Sequence, residues 1–229
     1  MTARVKRHEY GSREELAEAL ASGVAAILAG GTSTNSRALL AVSGGSTPDL
    51  LFERLSREPI DWASVTVLPV DERLVHPEHP RANARLIRER LLVNAAQPAR
   101  FAQMGERDGR IAIERDEASL AVSGSDGIDA LVLGMGTDGH TASFFADGDS
   151  YDAVTDPRCP VPVMPLRTPS QAEARMTLTM PAILSARFLA LHIEGEAKRE
   201  VFESAVEGAD LPISRVLAEA DEIALFWTP

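Results

Sequence analysis

Three short apolar runs, each followed at once by a turn of glycine, hydroxyl or charged residues, constrain the fold of this chain more than any other feature. The runs are Leu39–Val42, Val65–Val70 and Ile128–Leu133. Continuous apolar runs of roughly four to eight residues are typical of strands buried on both faces. Segments with helical periodicity alternate with these runs, so the sequence predicts a Rossmann-like α/β fold, in which right-handed crossovers build a parallel sheet with helices on both faces.

The remaining predicted elements follow the same alternation. Ser12 and Glu15 form a capping box, which places the start of the first helix. The predicted helices are Ser12–Ala29, one with Thr47 as N-cap and Pro48 as its first residue, Ala82–Val93, Ile113–Val122, Glu196–Val206 and Ile213–Ala218. The further predicted strands are Arg100–Met104, Arg175–Leu178, Phe188–Ile193 and Glu222–Trp227. Two segments are predicted to be irregular, the loop Gly30–Ser33 and the long connection Asp147–Ser170, which is either a mobile lid or a surface loop.

The composition limits the partners that the chain can have. Its 229 residues are enough for one large domain, and we predict a single domain over residues 1–229. The formal net charge of -11 disfavours nucleic acid and anionic membranes, because both bind basic surfaces. Cys159 is the one cysteine, so no internal disulfide can form, as suits a reducing cytoplasm. With no signal peptide or membrane-spanning run evident, we predict a cytoplasmic monomer or small homo-oligomer.

Two of the turns that follow the apolar runs contain groups suited to a site. The turn Ser43–Thr47 has glycines and hydroxyls that let backbone N–H groups approach a phosphate, although an ordinary strand-to-helix turn explains it equally well. The turn Asp71–Arg73 has three consecutive charges at a strand's carboxyl end, where ligands bind in such folds. His76 and His79 nearby are interpreted as surface histidines, because a metal site needs a third placed ligand.

The third turn, Gly134–His140, matches the G-x-G-x-x-G pattern of dinucleotide-binding sites. Such a site lies on the first strand of its unit, starts a long helix and has an acid about 20 residues later on a second strand. Here the turn lies in mid-chain, and neither the helix nor that second strand is evident. The sequence therefore favours a turn that positions His140 at a substrate, and it predicts no nucleotide cofactor and no metal.

Five segments, in order over nearly the whole chain, resemble the glucosamine-6-phosphate isomerase/6-phosphogluconolactonase family, in particular its lactone-hydrolysing branch. They are Leu39–Pro48, Val70–Arg73 with His79 and Asn83 downstream, Gly134–Ser143, Arg175–Thr179 and Gly195–Lys198. The resemblance implies hydrolysis of 6-phospho-D-glucono-1,5-lactone to 6-phosphogluconate, in the oxidative pentose phosphate pathway, without a metal or a cofactor. The sequence departs from the family pattern at His76, Ala82 and Phe145–Asp147, which leaves the rim of the pocket undefined.

The resemblance also implies roles for individual residues. The residues implied to bind the substrate's phosphate are Ser43, Gly44, Gly45, Ser46, Arg175 and Lys198. His140 corresponds to the catalytic base, Asp71 and Arg73 line the sugar pocket, and Asp138 lies beside the base. Histidine suits this role, since a group with a pKa of about 6.5 can take a proton from water and return it to the departing ring oxygen. Either Asp71 or Asp138 would orient His140, and either Arg73 or backbone N–H groups would stabilise the oxyanion.

Three other functions remain as alternatives. Amino-sugar phosphate deamination would call for an Asp-Glu-Tyr turn and an acid shortly after the glycine-histidine motif, whereas Arg73 follows Asp71-Glu72 and residues 141–146 contain no carboxylate. A non-catalytic sugar-phosphate sensor would need an added DNA-binding segment, for which a chain of this length and charge leaves no room. A nicotinamide-dependent dehydrogenase is the least favoured, because its fingerprint lacks the expected context.

Overall fold

The computed structural model describes residues 3–105 and 116–229, and strands and helices alternate along most of that length. The strands are β1 Arg4–Glu9, β2 Ala38–Val42, β3 Val65–Pro69, β4 Asp71–Arg73, β5 Arg100–Phe101, β6 Ala130–Leu133, β7 Val163–Leu166, β8 Arg175–Leu178, β9 Phe188–Glu194 and β10 Glu222–Thr228. The helices are α1 Arg13–Asn35, α2 Asp49–Leu55, α3 Asn83–Arg90, α4 Glu117–Ser123, α5 Tyr151–Thr155, α6 Met180–Leu184, α7 Glu196–Val206 and α8 Pro212–Glu219. Short 3-10 helices occupy Trp62–Ser64 and Asn94–Ala96.

Seven strands form one parallel sheet in the order β1-β10-β9-β6-β2-β3-β5. Successive residues of β2 point to opposite faces, so that Leu39 and Ala41 join one buried cluster while Leu40 and Val42 join the other. Both faces are therefore covered, which confirms the predicted fold class. β2 lies between β6 and β3, so the three turns of interest leave one sheet edge side by side.

A second, three-stranded sheet lies apart from the first and has the order β4-β8-β7, with antiparallel pairing. It corrects two predictions. Asp71–Arg73 is a short strand rather than a turn, and Arg175–Leu178 is a strand that pairs with it instead of joining the parallel sheet. The segment 147–170, predicted to be irregular, contains both α5 and β7. The three charged residues Asp71–Arg73 lack the apolar pattern of a strand. They form a strand only because they pair with β8.

The first helix is longer than predicted, since it runs through Gly30–Ser33, which the sequence had indicated as a loop. By length and composition alone α1 could cross a membrane. Its apolar side chains, however, are fully buried at Leu16, Leu20, Val24 and Leu28, where they pack into the cluster on one face of the sheet. Burial against the sheet, rather than local propensity, accounts for a helix that continues through two consecutive glycines.

Several predicted boundaries also differ from the observed ones. Helix α2 begins at Asp49, with Pro48 in the N-cap position and no side-chain cap, so the prediction of Thr47 as N-cap is wrong. The predicted helix Ala82–Val93 stops at Arg90, and the predicted strand Arg100–Met104 has two residues. Helix α4 covers the end of the predicted helix Ile113–Val122, whose residues 113–115 lie outside the described part of the chain. Helix α7 has the predicted bounds.

The packing of α1 generates a stability prediction. Leu20→Ala should lower the free energy of unfolding by about 2–5 kcal/mol, because it leaves a cavity between the helix and the sheet. Ile27→Ala, on the exposed side of the same helix, should cost about 1 kcal/mol or less. Urea unfolding of both variants checks this, and equal losses would contradict the packing of this helix.

Candidate active site

One cavity of about 300 Å³ lies at the carboxyl ends of the central strands, where parallel α/β sheets bind ligands. The residues predicted for the site that line it are Ser43, Gly44, Gly45, Ser46, Asp71, Arg73, His140, Arg175 and Lys198. Asp138, the remaining predicted residue, does not line the cavity but contacts His140. The structure thus gathers the predicted residues around a single cavity, although they are spread over 156 positions of the sequence, from 43 to 198.

The third turn fixes the position of His140 at the cavity. The backbone N–H of Gly136 donates to the His140 carbonyl at 2.9 Å, and Asp138 Oδ1 lies 2.5 Å from His140 Nδ1. Burial opposes ionisation of Asp138, but the hydrogen bond with His140 and the charge of that residue outweigh it and lower the pKa of the carboxyl. An ionised carboxylate only accepts, so Nδ1 carries the hydrogen and Nε2 is left as the proton acceptor.

Of the two carboxylates predicted as possible partners of His140, one is in contact with it. Asp138 contacts the imidazole, whereas the carboxylate of Asp71 is engaged elsewhere. On one side His140 stacks on Phe145, with ring centroids 4.6 Å apart. On the other side, a Cβ atom at position 136 would lie 2.4 Å from His140 Nδ1 and 2.5 Å from Asp138 Oδ1. Gly136 is therefore required by the close approach of these two side chains to the backbone.

The first turn has the features of an anion site. The N–H groups of residues 44–47 donate no hydrogen bond to any described residue, so they remain available to a ligand. Lys198 Nζ donates to Thr47 Oγ1 at 3.2 Å, which brings an ammonium group to the same turn. The pKa of Lys198 is lowered by burial, and the charge of Glu194 opposes that shift. A phosphate placed here would meet N–H donors and a cation together.

Two contacts hold the first turn in place. Ser43 Oγ accepts a hydrogen bond of 2.9 Å from the N–H of Gly134, which joins the first turn to the third. Asn83 packs against the turn from α3, and a Cβ atom at position 44 would lie only 2.0 Å from Asn83 Oδ1. Gly44 is thus the residue that allows the turn and the amide to approach each other.

Asp71 and Arg175 form a buried polar network at the cavity wall. Asp71 accepts hydrogen bonds from Ser143 Oγ at 2.5 Å and from Asn83 Nδ2 at 3.2 Å, and Arg175 Nη1 lies 3.8 Å from its carboxylate. Arg175 Nη2 donates to Gln171 Oε1 at 2.7 Å. Burial lowers the pKa of Arg175, and the charge of Asp71 opposes that shift. This network places the guanidinium of Arg175 at the cavity wall. A contact between Arg175 and the substrate's phosphate stays a prediction.

Glu72 is a structural residue of the site that sequence reasoning did not single out. Its carboxylate accepts hydrogen bonds from the N–H groups of Arg73, Asn83 and Ala84, at 2.7, 2.8 and 2.6 Å. It therefore caps the start of α3, whose own N-cap residue, Ala82, has no side chain that can do so. Burial raises the pKa of Glu72 to about 7, although the three N–H donors oppose that shift.

Two other residues at the cavity wall, Gln171 and His192, were also missed. Gln171 lies in a loop without a motif, and His192 lies within an apolar strand, so neither carries a local sequence signal. The uncapped start of α3, in contrast, could have prompted a search for a distant carboxylate such as Glu72. Among the described residues, no group of three or more His, Cys, Asp or Glu side chains could hold a metal ion.

The raised pKa of Glu72 predicts a pH-dependent stability. A carboxyl with a pKa of about 7 in the folded state and about 4.3 in the unfolded state stabilises the fold below both values, and this contribution is lost as the pH rises through 7. The free energy of unfolding of the wild-type protein, relative to that of Glu72→Gln, should fall by about 3 kcal/mol between roughly pH 4 and pH 8.

Urea unfolding of both proteins across this range checks the prediction. The amide of Glu72→Gln keeps one of the two acceptor oxygens and does not ionise, so the loss of the other acceptor changes stability equally at every pH and the pH dependence of the difference reports the titration of Glu72. Parallel pH profiles for the two proteins would contradict it.

Comparisons with known proteins show the family to which this chain belongs. A family model described as glucosamine-6-phosphate isomerases/6-phosphogluconolactonase matches residues 11–227. A 6-phosphogluconolactonase from Rhizobium meliloti is 41% identical over 97% of this chain and 98% of its own length. One from Mesorhizobium japonicum is 44% identical over 96% of this chain and 94% of its own. The crystal structure of a 6-phosphogluconolactonase from Shewanella baltica superposes with a TM-score of 0.90 over the full length of both chains, at 33% identity.

Proposed function

Because the chain belongs to the glucosamine-6-phosphate isomerase/6-phosphogluconolactonase family, we propose that it hydrolyses 6-phospho-D-glucono-1,5-lactone to 6-phosphogluconate, a step of the oxidative pentose phosphate pathway. The observation that carries the proposal is that His140, held by Asp138, lines the same cavity as Lys198 and the turn of residues 44–47, whose N–H groups have no hydrogen-bond partner among the described residues. A base and an anion site that share one cavity suit a substrate with a phosphate at one end and a reactive carbonyl at the other.

The base is His140, acting through Nε2. It takes a proton from a water molecule as the water oxygen forms a bond to the lactone carbonyl carbon. The bond between this carbon and the ring oxygen then breaks, and the imidazolium returns the proton to the departing oxygen. Asp138 keeps the hydrogen on Nδ1 and stabilises the imidazolium while it carries the proton.

The oxyanion needs a donor, and Arg73 is suited to this role. Its Nε is buried without a hydrogen-bond partner among the described residues, while its Nη1 donates to the carbonyl oxygen of Arg81 at 2.5 Å. Arg73 lines the cavity and is anchored by this bond, and its other side-chain N–H groups have no hydrogen-bond partner among the described residues. One such donor contributes about 3 kcal/mol to stabilising the transition state.

The phosphate end of the substrate binds the turn of residues 43–47, Lys198 and Arg175, which line the same cavity. The strongly acidic chain repels a phosphorylated substrate at long range, which makes these local cations necessary. The binding energy gained from the phosphate orients the lactone carbonyl toward His140.

His140→Ala should lower kcat by about 100-fold or more, because it removes the general base. The variant is assayed on freshly prepared lactone, with subtraction of the spontaneous ring opening. His8→Ala, which changes an exposed histidine on β1, is the matched control and should keep the parent rate. A folded His140→Ala enzyme that hydrolyses the lactone at the parent rate would refute the assignment.

Lys198→Ala should raise KM for the phosphorylated lactone by about tenfold or more, since a charge-assisted contact to phosphate is lost. It should change KM for unphosphorylated glucono-1,5-lactone little, and Lys6→Ala should change neither constant. Equal effects on the two lactones would show that Lys198 does not contact the phosphate.

Deamination of glucosamine 6-phosphate is the second candidate activity on this fold. The sequence Thr141–Ala146 contains no carboxylate, and Arg73 follows Asp71-Glu72, so the acid expected at these positions for deamination is missing. Release of ammonia from glucosamine 6-phosphate by the purified protein would overturn the preference for lactone hydrolysis.

We also propose that the protein works in the cytoplasm as a single-domain monomer or small homo-oligomer, without nucleic acid or membrane partners.

A further inference from the structure

We propose that Gln171 is a specificity-determining residue of the cavity, whose side-chain amide donates a hydrogen bond to a ring hydroxyl of the lactone. This role rests on the proposed lactone hydrolysis and deepens it. Gln171 lines the cavity, is half-buried and lies in the loop 167–174 between β7 and β8. Its backbone is held in place, its amide has one orientation, and the amide N–H groups have no partner among the described residues.

The loop that contains Gln171 is tied to the rest of the protein on both sides of this residue. On one side, the N–H of Ser170 donates to Asp147 Oδ2 at 3.0 Å. On the other side, the carboxylate of Glu173 forms an ion pair with Arg81. The backbone at position 171 is therefore fixed at the cavity wall, and the side chain needs little reordering to meet a ligand.

Arg175 fixes the orientation of the Gln171 amide. Arg175 Nη2 lies 2.7 Å from Gln171 Oε1, and a guanidinium can only donate, so the atom that faces it is the amide oxygen. The guanidinium is itself buried, and its Nη1 lies 3.8 Å from the carboxylate of Asp71. Gln171 Nε2, in contrast, donates to no residue in the described part of the chain. Its two N–H groups are free for a ligand.

The contacts of Arg175 place this amide on the side of the cavity that holds the base. Arg175 Cζ lies 5.7 Å from the ring centroid of Phe145, and the same ring stacks on His140 with centroids 4.6 Å apart. When the lactone carbonyl is at His140 and the phosphate at the turn of residues 43–47, the ring and its hydroxyls lie beside the base. A hydroxyl oxygen accepts hydrogen bonds, so it suits the free N–H groups of Gln171.

An unpaired amide donor at the cavity makes the site selective for a hydroxylated ring. A lactone that lacks the contacted hydroxyl leaves Gln171 Nε2 without a partner in a cavity from which the substrate has displaced water. A site built to bond a hydroxyl rejects such analogues more strongly than an apolar site rejects a change in size. The wild-type protein should therefore discriminate against a lactone that lacks this one hydroxyl.

The test compares 6-phospho-D-glucono-1,5-lactone with its 2-deoxy, 3-deoxy and 4-deoxy analogues, all freshly prepared. Removal of one of the three hydroxyls should lower kcat/KM of the wild-type protein, and Gln171→Leu should reduce that particular preference by about fivefold or more. The preferences for the other two hydroxyls should stay unchanged. Gln97→Leu changes an exposed glutamine that does not line the cavity and is the matched control. Urea unfolding midpoints show that each variant is folded.

A role limited to holding Arg175 has a different signature. In that case Gln171→Leu lowers kcat/KM by the same factor for all four lactones, or does not change it, and the hydroxyl contact is refuted. Unphosphorylated glucono-1,5-lactone separates a hydroxyl from the phosphate as the partner of Gln171. A loss that is confined to the phosphorylated lactones would assign Nε2 to the phosphate and overturn the proposal.

Failure of the proposed function is distinguishable from failure of this inference. If the wild-type protein opens none of the lactones faster than the blank, lactone hydrolysis itself is wrong. If the wild-type protein hydrolyses the phosphorylated lactone but Gln171→Leu keeps every hydroxyl preference, the activity stands and the role of Gln171 is refuted.

Discussion

The order of the central strands is the constraint on which the rest of this structure depends. In a parallel sheet every strand ends at the same edge, so the segments that follow β6, β2 and β3 must lie side by side. The hydrogen bond from the N–H of Gly134 to Ser43 Oγ fixes the first two of these segments against each other. The proposed base and the proposed anion site, which are some 90 residues apart in sequence, thereby share one cavity.

The second sheet completes the wall of this cavity at an electrostatic cost. Asp71 and Arg175 are only 8% and 6% exposed, and burial of such ions is costly unless their hydrogen-bonding groups find partners. Ser143 and Asn83 supply partners for Asp71, and Gln171 supplies one for Arg175, whose Nε has none among the described residues. Pairing of Arg73 with Arg175 across the antiparallel strands also sets two cations side by side, which suits a cavity that accepts an anionic substrate.

The sequence predicts the parallel sheet because its apolar runs are strong local signals, and the predicted bounds of α7 agree with the observed ones. The elements that it did not predict depend on tertiary contacts. Strand β4 is three charged residues that become a strand only by pairing with β8. Glu72 caps a helix that starts 11 positions later, so no short motif reveals it. Helix α1 passes through Gly30–Ser33 because its apolar face is buried on the sheet.

The cavity residues on the glycine-rich turns could be predicted because such turns have a recognisable sequence pattern. His192 and Gln171 also line the cavity, but no sequence pattern marks them. The sequence could also not decide between Asp71 and Asp138 as the partner of His140, since both follow strands that end at the same edge. That choice depends on a 2.5 Å contact within the third turn and on the engagement of Asp71 by Ser143.

The most direct test of this account is the rate of ring opening of freshly generated 6-phospho-D-glucono-1,5-lactone with the purified protein, measured against the same buffer without protein. Lactones of this kind open spontaneously, so the blank decides the result. The account predicts a rate that is proportional to protein concentration and well above the blank, with 6-phosphogluconate as the product. A rate equal to the blank at substrate concentrations that saturate the protein would contradict it.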